Sequence, residues 1–373
     1  MMLLGIVLHA AASYSTLPFG KAWPYKDPAA SVWFDLPLVF IHVFRMPIFF
    51  VLAGFFARML WEKLGEQAFL RQRAQRILLP FVVGWLVLVV PVGSAFQYGV
   101  HHDWGRAVGY FVSGNFLQES GTMHLWFLYY LMYFYAATAV LSRFRLPNLD
   151  AKFGRVLGSR WRPLAFAIPT AVTLYFMDSG ALDTEFSFFV RPKVLAAYGV
   201  FYWFGWMLKA QSDLLPSFQH RAWTQILLAL AILPINGKFV IATIRAFPQY
   251  DAVNHAGAVI TGSVMVWLLI FGLMGVFLRY FQTANDRVRY LADASYWMYL
   301  THFPFTIWIP VLLSGTSWPA VAKFLVVLLL TTVVTLVSYS RFVRNGAIGR
   351  VLNGSKASVR PRAVASELQQ ALC

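Results

Sequence analysis

This sequence predicts an all-α, polytopic membrane bundle of about ten transmembrane helices with both ends in the cytoplasm, and three observations lead there. The first is composition: of 373 residues, 59% are hydrophobic, 17% aromatic and only 12% charged, with a mean hydropathy of +0.60. A soluble globular domain carries about 25% charged residues, so half that share leaves too little polar surface to face water. The second is the recurrence of apolar runs near the roughly 20 residues needed to cross about 30 Å of hydrocarbon. Ten occur, at 1–16, 36–57, 77–97, 123–142, 163–178, 194–210, 222–242, 253–278, 290–313 and 319–340. They are unbroken rather than alternating ten-residue segments, which excludes an outer-membrane barrel. The third is the Lys and Arg distribution. With the first helix running outward from the cytoplasm, inside segments hold 22 of these residues and outside segments 8. The bias alternates loop by loop, as the positive-inside rule requires.

The formal net charge of +16 follows from the same asymmetry. It does not point to nucleic acid, for which the chain has no binding motif. One cysteine, Cys373, excludes disulfides and a cysteine metal site, and no His, Asp or Glu spacing suits a metal. No cleavable signal peptide is expected, since no basic region precedes the first apolar run. Residues 1–345 read as one transmembrane domain and 346–373 as a short basic cytoplasmic tail.

Ionisable side chains inside apolar spans are costly and mark candidate functional positions. The first run carries His9, either a general base or a buried hydrogen-bonded histidine. The second carries Asp35, His42 and Arg45 before Pro47. At about 100° per residue all three share one helix face, either lining a polar cavity or closing an internal Asp–Arg pair. Pro47 cannot donate to the carbonyl of Val43. At the mouth of the third run, Arg73 and Arg76 stand three apart and face the same way. Their guanidinium forks suit phosphate, although anchoring at the cytoplasmic face also accounts for them. His124 and Trp126 open the fourth run, where Trp126 reads most simply as an interfacial aromatic, and His302 lies in the ninth just before Pro304. The chain has no Walker loop, nucleophile elbow or His-Glu-x-x-His motif. The scattered His, Asp and Arg leave acid–base chemistry on a bound co-substrate or, alternatively, a proton-coupled secondary transporter.

The run from His42 through Arg45-Met46-Pro47 to Gly54-Phe55-Phe56 resembles a hallmark of the acyltransferase family 3 membrane proteins. So do Arg73-x-x-Arg76 with Pro80-Phe81, His124-Leu125-Trp126, and Ser295-Tyr296-x-x-Tyr299-Leu300-x-His302. These motifs run in order over nearly the whole chain, and the segment from Arg341 to Gly354 looks most like the family's glucan branch. The resemblance implies a bacterial inner-membrane O-acyltransferase. Such an enzyme moves an acyl group, acetyl or succinyl, from cytoplasmic acyl-CoA to an extracytoplasmic carbohydrate. In the glucan branch, succinyl groups go to periplasmic glucans. No tightly bound cofactor is implied, since acyl-CoA is a co-substrate; the other partners are the glycan acceptor and the lipid bilayer. The resemblance makes His9 the catalytic base and Arg73 and Arg76 the holders of the CoA phosphates. Arg45 and His302 are then candidates for stabilising the oxyanion, and Asp35, His42, His124 and Trp126 for binding the acceptor.

Two departures stand out. The family's arginine eleven positions before the histidine would fall ahead of Met1, and the first run is short. The expectation is therefore a first helix truncated at its N-terminus. Ala53 also replaces the serine that many relatives place before the Gly-Phe pair.

Overall fold

The computed structural model describes residues 2–143, 149–246, 249, 251–283 and 285–354. Arg145, Lys356, Arg360, Arg362 and Cys373, all weighed in the sequence, lie outside the described residues.

Among the described residues every regular element is helical. The α-helices are α1 (Met2–Ala12), α2 (Val32–Leu64), α3 (Glu66–Arg73), α4 (Leu79–His101), α5 (Trp104–Val112), α6 (Phe116–Glu119), α7 (Trp126–Leu141) and α8 (Leu149–Gly158). They continue with α9 (Arg162–Leu174), α10 (Pro192–Ala210), α11 (Ala222–Ala246), α12 (Ala252–Tyr280), α13 (Asp286–Leu312), α14 (Ala320–Ser338) and α15 (Ala347–Asn353). Each of the ten apolar runs coincides with a helix. Six helical stretches are both long and apolar enough to cross a membrane: 32–64, 66–101, 116–141, 212–246, 252–280 and 320–343. α1, with 11 residues, is shorter. The segment read as a tail begins with α15.

Large apolar side chains face outward along these helices, among them Val83, Val87 and Val90 on α4 and Leu325 and Leu329 on α14. In water such stripes would drive aggregation, whereas in hydrocarbon they cost nothing. The protein is a multi-pass membrane protein. Because lipid is as apolar as leucine, its helices are held by close packing rather than by a hydrophobic drive. The crossing of α2 and α10 shows this. A Cβ placed on Gly54 would overlap the carbonyl oxygen of Tyr202, and one on Gly205 would overlap that of Val51. Two glycines thus bring two backbones into direct contact.

Two features position the site. α1 packs against α2, α13 and α14, so the first helix sits against two of the last three. The segment after α1 is tied down at several points. Asp35 accepts from Ser15 Oγ (2.6 Å), Thr16 N (2.8 Å) and Thr16 Oγ1 (2.5 Å). Lys26 Nζ donates to the carbonyls of Ala12, Ser15 and Leu17 at 2.8–3.1 Å. Lys323 of α14 closes a buried pair with Asp27 at 2.9 Å.

Candidate active site

His9 lies at the centre of the cluster. Its ring is half-buried and enclosed by Trp23, stacked at 6.0 Å between centroids, by Phe303 edge-on at 5.1 Å and by His302 at 5.3 Å. Trp23 comes from the segment after α1, where its Nε1–H donates to Ser13 Oγ at 2.8 Å.

Arg45 reaches His9 from α2. A Cβ on Gly5 would lie 2.7 Å from Arg45 Nη1, and Gly5 precedes His9 by four residues, so the guanidinium rests on the face of α1 that carries the histidine. Arg45 Nε is sealed from solvent without a partner, and Nη2 meets only the Sδ of Met46, at 3.7 Å. No carboxylate pairs with it among the described residues. The internal Asp35–Arg45 pair is therefore not formed, since Asp35 is engaged with Ser15 and Thr16. What remains is a cation in a desolvated place with N–H groups to give, which suits a developing oxyanion.

The two remaining histidines are fixed by backbone carbonyls, which can only accept. His302 Nδ1 lies 3.0 Å from the carbonyl of Met298 and 2.9 Å from that of Tyr299, so Nδ1 carries the proton. Its Nε2, buried and without a partner, is then a bare lone pair in the neutral ring. Neutral His302 thus offers the site an acceptor and no donor. His124 is held in the opposite tautomer: Nε2 donates to the carbonyl of Leu300 at 3.1 Å and Nδ1 is left unpartnered. A proline makes that bond possible. Pro304 has no N–H to give the carbonyl four residues back, which is that of Leu300. His124 and His302 are packed 5.3 Å apart.

The same substitution of a side chain for a missing backbone donor occurs at the arginine pair. Pro80 leaves the carbonyl of Arg76 free, and the hydroxyl of Tyr296 takes it at 2.6 Å. The stretch Ala74–Leu78 is a single π turn, closed by Leu79 N–H to the carbonyl of Ala74. This corrects the regular helical spacing expected for Arg73 and Arg76; π turns of this kind are frequent at functional sites. The Arg73 guanidinium lies over the rings of Phe69 (5.8 Å) and Tyr135 (5.6 Å) and donates to Gln72. Arg76 reaches Gly354 at the end of α15, where an added Cβ would overlap its Nη2.

One face of α13 joins the two regions. Tyr296, bonded to Arg76, stacks on Tyr299 at 6.4 Å. Tyr299 lies 6.4 Å from His302 and donates its hydroxyl to the carbonyl of His124 at 2.8 Å. From Tyr296 to His302 the helix rises about 9 Å.

The other expected residues make their hydrogen bonds and ring contacts elsewhere. His42 donates Nε2–H to the carbonyl of Leu182 at 3.1 Å and holds the α9–α10 connection. Trp126 is only 4% exposed, enclosed by Phe50, Tyr130 and Tyr198. The ring is thus packed among other aromatics and presents no open face in this structure. Among the described residues, no group of three His, Cys, Asp or Glu is placed to hold a metal.

The family described as "Acyltransferase domain" (Acyl_transf_3) matches residues 1–340. The chain belongs to that family. It is 26% identical over 368 residues to "Glucans biosynthesis protein C" of Salmonella schwarzengrund (strain CVM19633), covering 92% of this chain and 89% of the relative. It is 28% identical over 331 residues to the proteins of that name from Salmonella typhi and Salmonella typhimurium, covering 82% of this chain and 80% of each. No solved structure matches. As a family member the protein is an acyltransferase, which decides against the transporter alternative. The sequence motifs of this acyltransferase named His9, Arg45, His124 and His302, which the fold brings together. They carried Tyr296 and Tyr299 without giving them a role, and they did not single out Trp23 or Phe303.

Proposed function

We propose that the acyltransferase takes its acyl group, acetyl or succinyl, from acyl-CoA on the cytoplasmic side and places it on a hydroxyl of a carbohydrate outside, such as a periplasmic glucan. The observation that carries this reading is the continuous face of α13. At one end Tyr296 holds the carbonyl of Arg76, and at the other His302 lies beside His9. A donor anchored by its phosphates at Arg73 and Arg76 would run its thioester arm along this face toward His9. The relatives' name, glucans biosynthesis protein C, supports a glucan as acceptor.

In this reading the sugar hydroxyl gives its proton to His9 as its oxygen attacks the thioester carbonyl. A positioned base of this kind contributes about 10²–10⁴-fold. Arg45 donates to the oxyanion of the tetrahedral adduct. The adduct collapses with cleavage of the carbon–sulfur bond, and the imidazolium returns the proton to the departing thiolate. The products are the sugar ester and free CoA thiol. The orientation that this requires, with the N-terminus and the basic tail cytoplasmic in a bacterial inner membrane, follows the Lys and Arg distribution.

The test is release of free thiol from acetyl-CoA and succinyl-CoA by purified protein, with mass spectrometry of periplasmic glycans from expressing cells. An acyl mass on the glycan with wild type and none with His9→Ala, at equal protein levels, is the expected result. Transfer by His9→Ala close to wild type would overturn the assignment of the base.

A further inference from the structure

A histidine acting as a base needs one nitrogen bare, and which one is bare is set by what holds the other. Serine hydrolases use a carboxylate for this purpose, but no carboxylate contacts His9 among the described residues. The nearest candidate on α2, Asp35, is committed to Ser15 and Thr16. What faces His9 instead is His302, with its proton fixed on Nδ1 by two carbonyls and its Nε2 lone pair buried and unclaimed. The two ring centroids are 5.3 Å apart. Two imidazoles joined N–H to N at about 3 Å have centroids slightly over about 5 Å apart, so a small ring rotation closes the bond. His124 is equally near His302 but cannot supply the proton, because its own free nitrogen, Nδ1, is also a lone pair. His9, neither of whose nitrogens is taken by a carbonyl, can supply it.

We infer that His302 is a positioning residue: its Nε2 accepts the N–H of His9 and so fixes the tautomer in which the other His9 nitrogen is bare toward the acceptor hydroxyl. The inference rests on the reading of His9 as the base. It replaces the carboxylate of a catalytic triad with a second imidazole whose own tautomer is locked by the backbone of α13. The positive charge that His9 gains with the sugar's proton is then eased through the N–H that it already donates to a neutral acceptor, and His302 exchanges no proton with substrate.

Two substitutions separate this from a structural role. The amide of Gln reaches the place of Nε2, and the amide of Asn reaches the place of Nδ1. His302→Gln keeps the acceptor offered to His9 but loses the donor to Met298 and Tyr299, while His302→Asn does the reverse. The expected result is a kcat within a few-fold of wild type for Gln and lower by about 10²–10⁴-fold for Asn, the whole share of a positioned base, with KM for acyl-CoA unchanged. A second measurement does not depend on turnover: the rate at which diethyl pyrocarbonate carbethoxylates His9, followed by mass spectrometry. It should slow in the Asn variant and persist in the Gln variant. Activity retained by Asn and lost by Gln would assign His302 to holding α13 and overturn the inference. So would His9 labelling that is the same in all three proteins, which would leave Arg45 as the partner of the lone pair. Absence of thiol release by wild type would instead overturn the acyl-CoA reading, and the labelling rates would still decide the role of His302.

Discussion

The indole of Trp23 lies parallel to the imidazole of His9, their planes 8° apart and their centroids at 6.0 Å. The segment that holds this indole over His9 is fastened from the far end of the chain by the buried pair of Asp27 and Lys323. Burial works against ionisation of Asp27. Hydrogen bonds from Lys323, from the N–H of Ala29 and from Tyr25, together with the lysine charge, outweigh it and hold the carboxyl below its ordinary range.

A pH dependence follows. A carboxyl lowered by folding stabilises the fold fully above its unfolded value, about 3.9, and loses that contribution as pH falls through the lower folded value. The Trp23 cover should therefore stay seated through neutral pH and loosen only below about pH 4. Asp27→Asn should remove it at every pH, leaving Lys323 buried without a counter-ion at a cost of about 3–5 kcal/mol. Tryptophan fluorescence quenching against pH reads both; an acid transition unchanged in Asp27→Asn would show that the pair does not hold the segment.

Pro304→Ala should lower activity while leaving the helix better formed. The new N–H would claim the carbonyl of Leu300 and displace His124 Nε2 from it. A hydrogen bond of about 1–1.5 kcal/mol corresponds to roughly five- to tenfold in kcat. Equal thiol release by wild type and variant would mean that the orientation of His124 is irrelevant to transfer.

Gly5→Ala puts a methyl group where Arg45 Nη1 rests, 2.7 Å from the new carbon. The neighbour is the end of a flexible side chain, so the fold should survive and the guanidinium should shift. A displacement approaching 1 Å costs about 100-fold in a well-aligned site. The check is a double-mutant comparison. In an Arg45→Gln background Gly5→Ala should have little further effect, and a full second loss would separate the two residues.

Replacing Arg73 and Arg76 together by Gln should raise KM for acyl-CoA at least tenfold, since each charged hydrogen bond is worth about 1.5–3 kcal/mol. An unchanged KM returns both to the role of topology anchors.

Much of this site was legible in the sequence because its parts are local anomalies. A histidine, an arginine or a proline within an apolar run stands out wherever it falls, and His9, Arg45, His124 and His302 were found that way. Pro304 and Pro80 were equally visible, but what their missing N–H groups release was not. The carbonyls of Leu300 and Arg76 are taken by side chains 176 and 220 residues distant in sequence. The tautomers of His124 and His302 depend on such long-range contacts and so could not be read beforehand. The stacking of Trp23 on His9 has the same origin, because it requires a segment to fold back over its own helix. Trp126 adds a contact that sequence could not show: helix packing encloses its ring among Phe50, Tyr130 and Tyr198.

Because α1 is packed between helices made last, the order of synthesis matters. The histidine emerges from the ribosome first, but the lysine that fastens its cover is more than 300 residues behind. At about 5–20 residues per second that interval is roughly 15–60 s. Throughout it the nascent chain carries His9 without the lysine that fastens the segment over it. The segment over His9 is thus fastened at its far end only once α14 has been made.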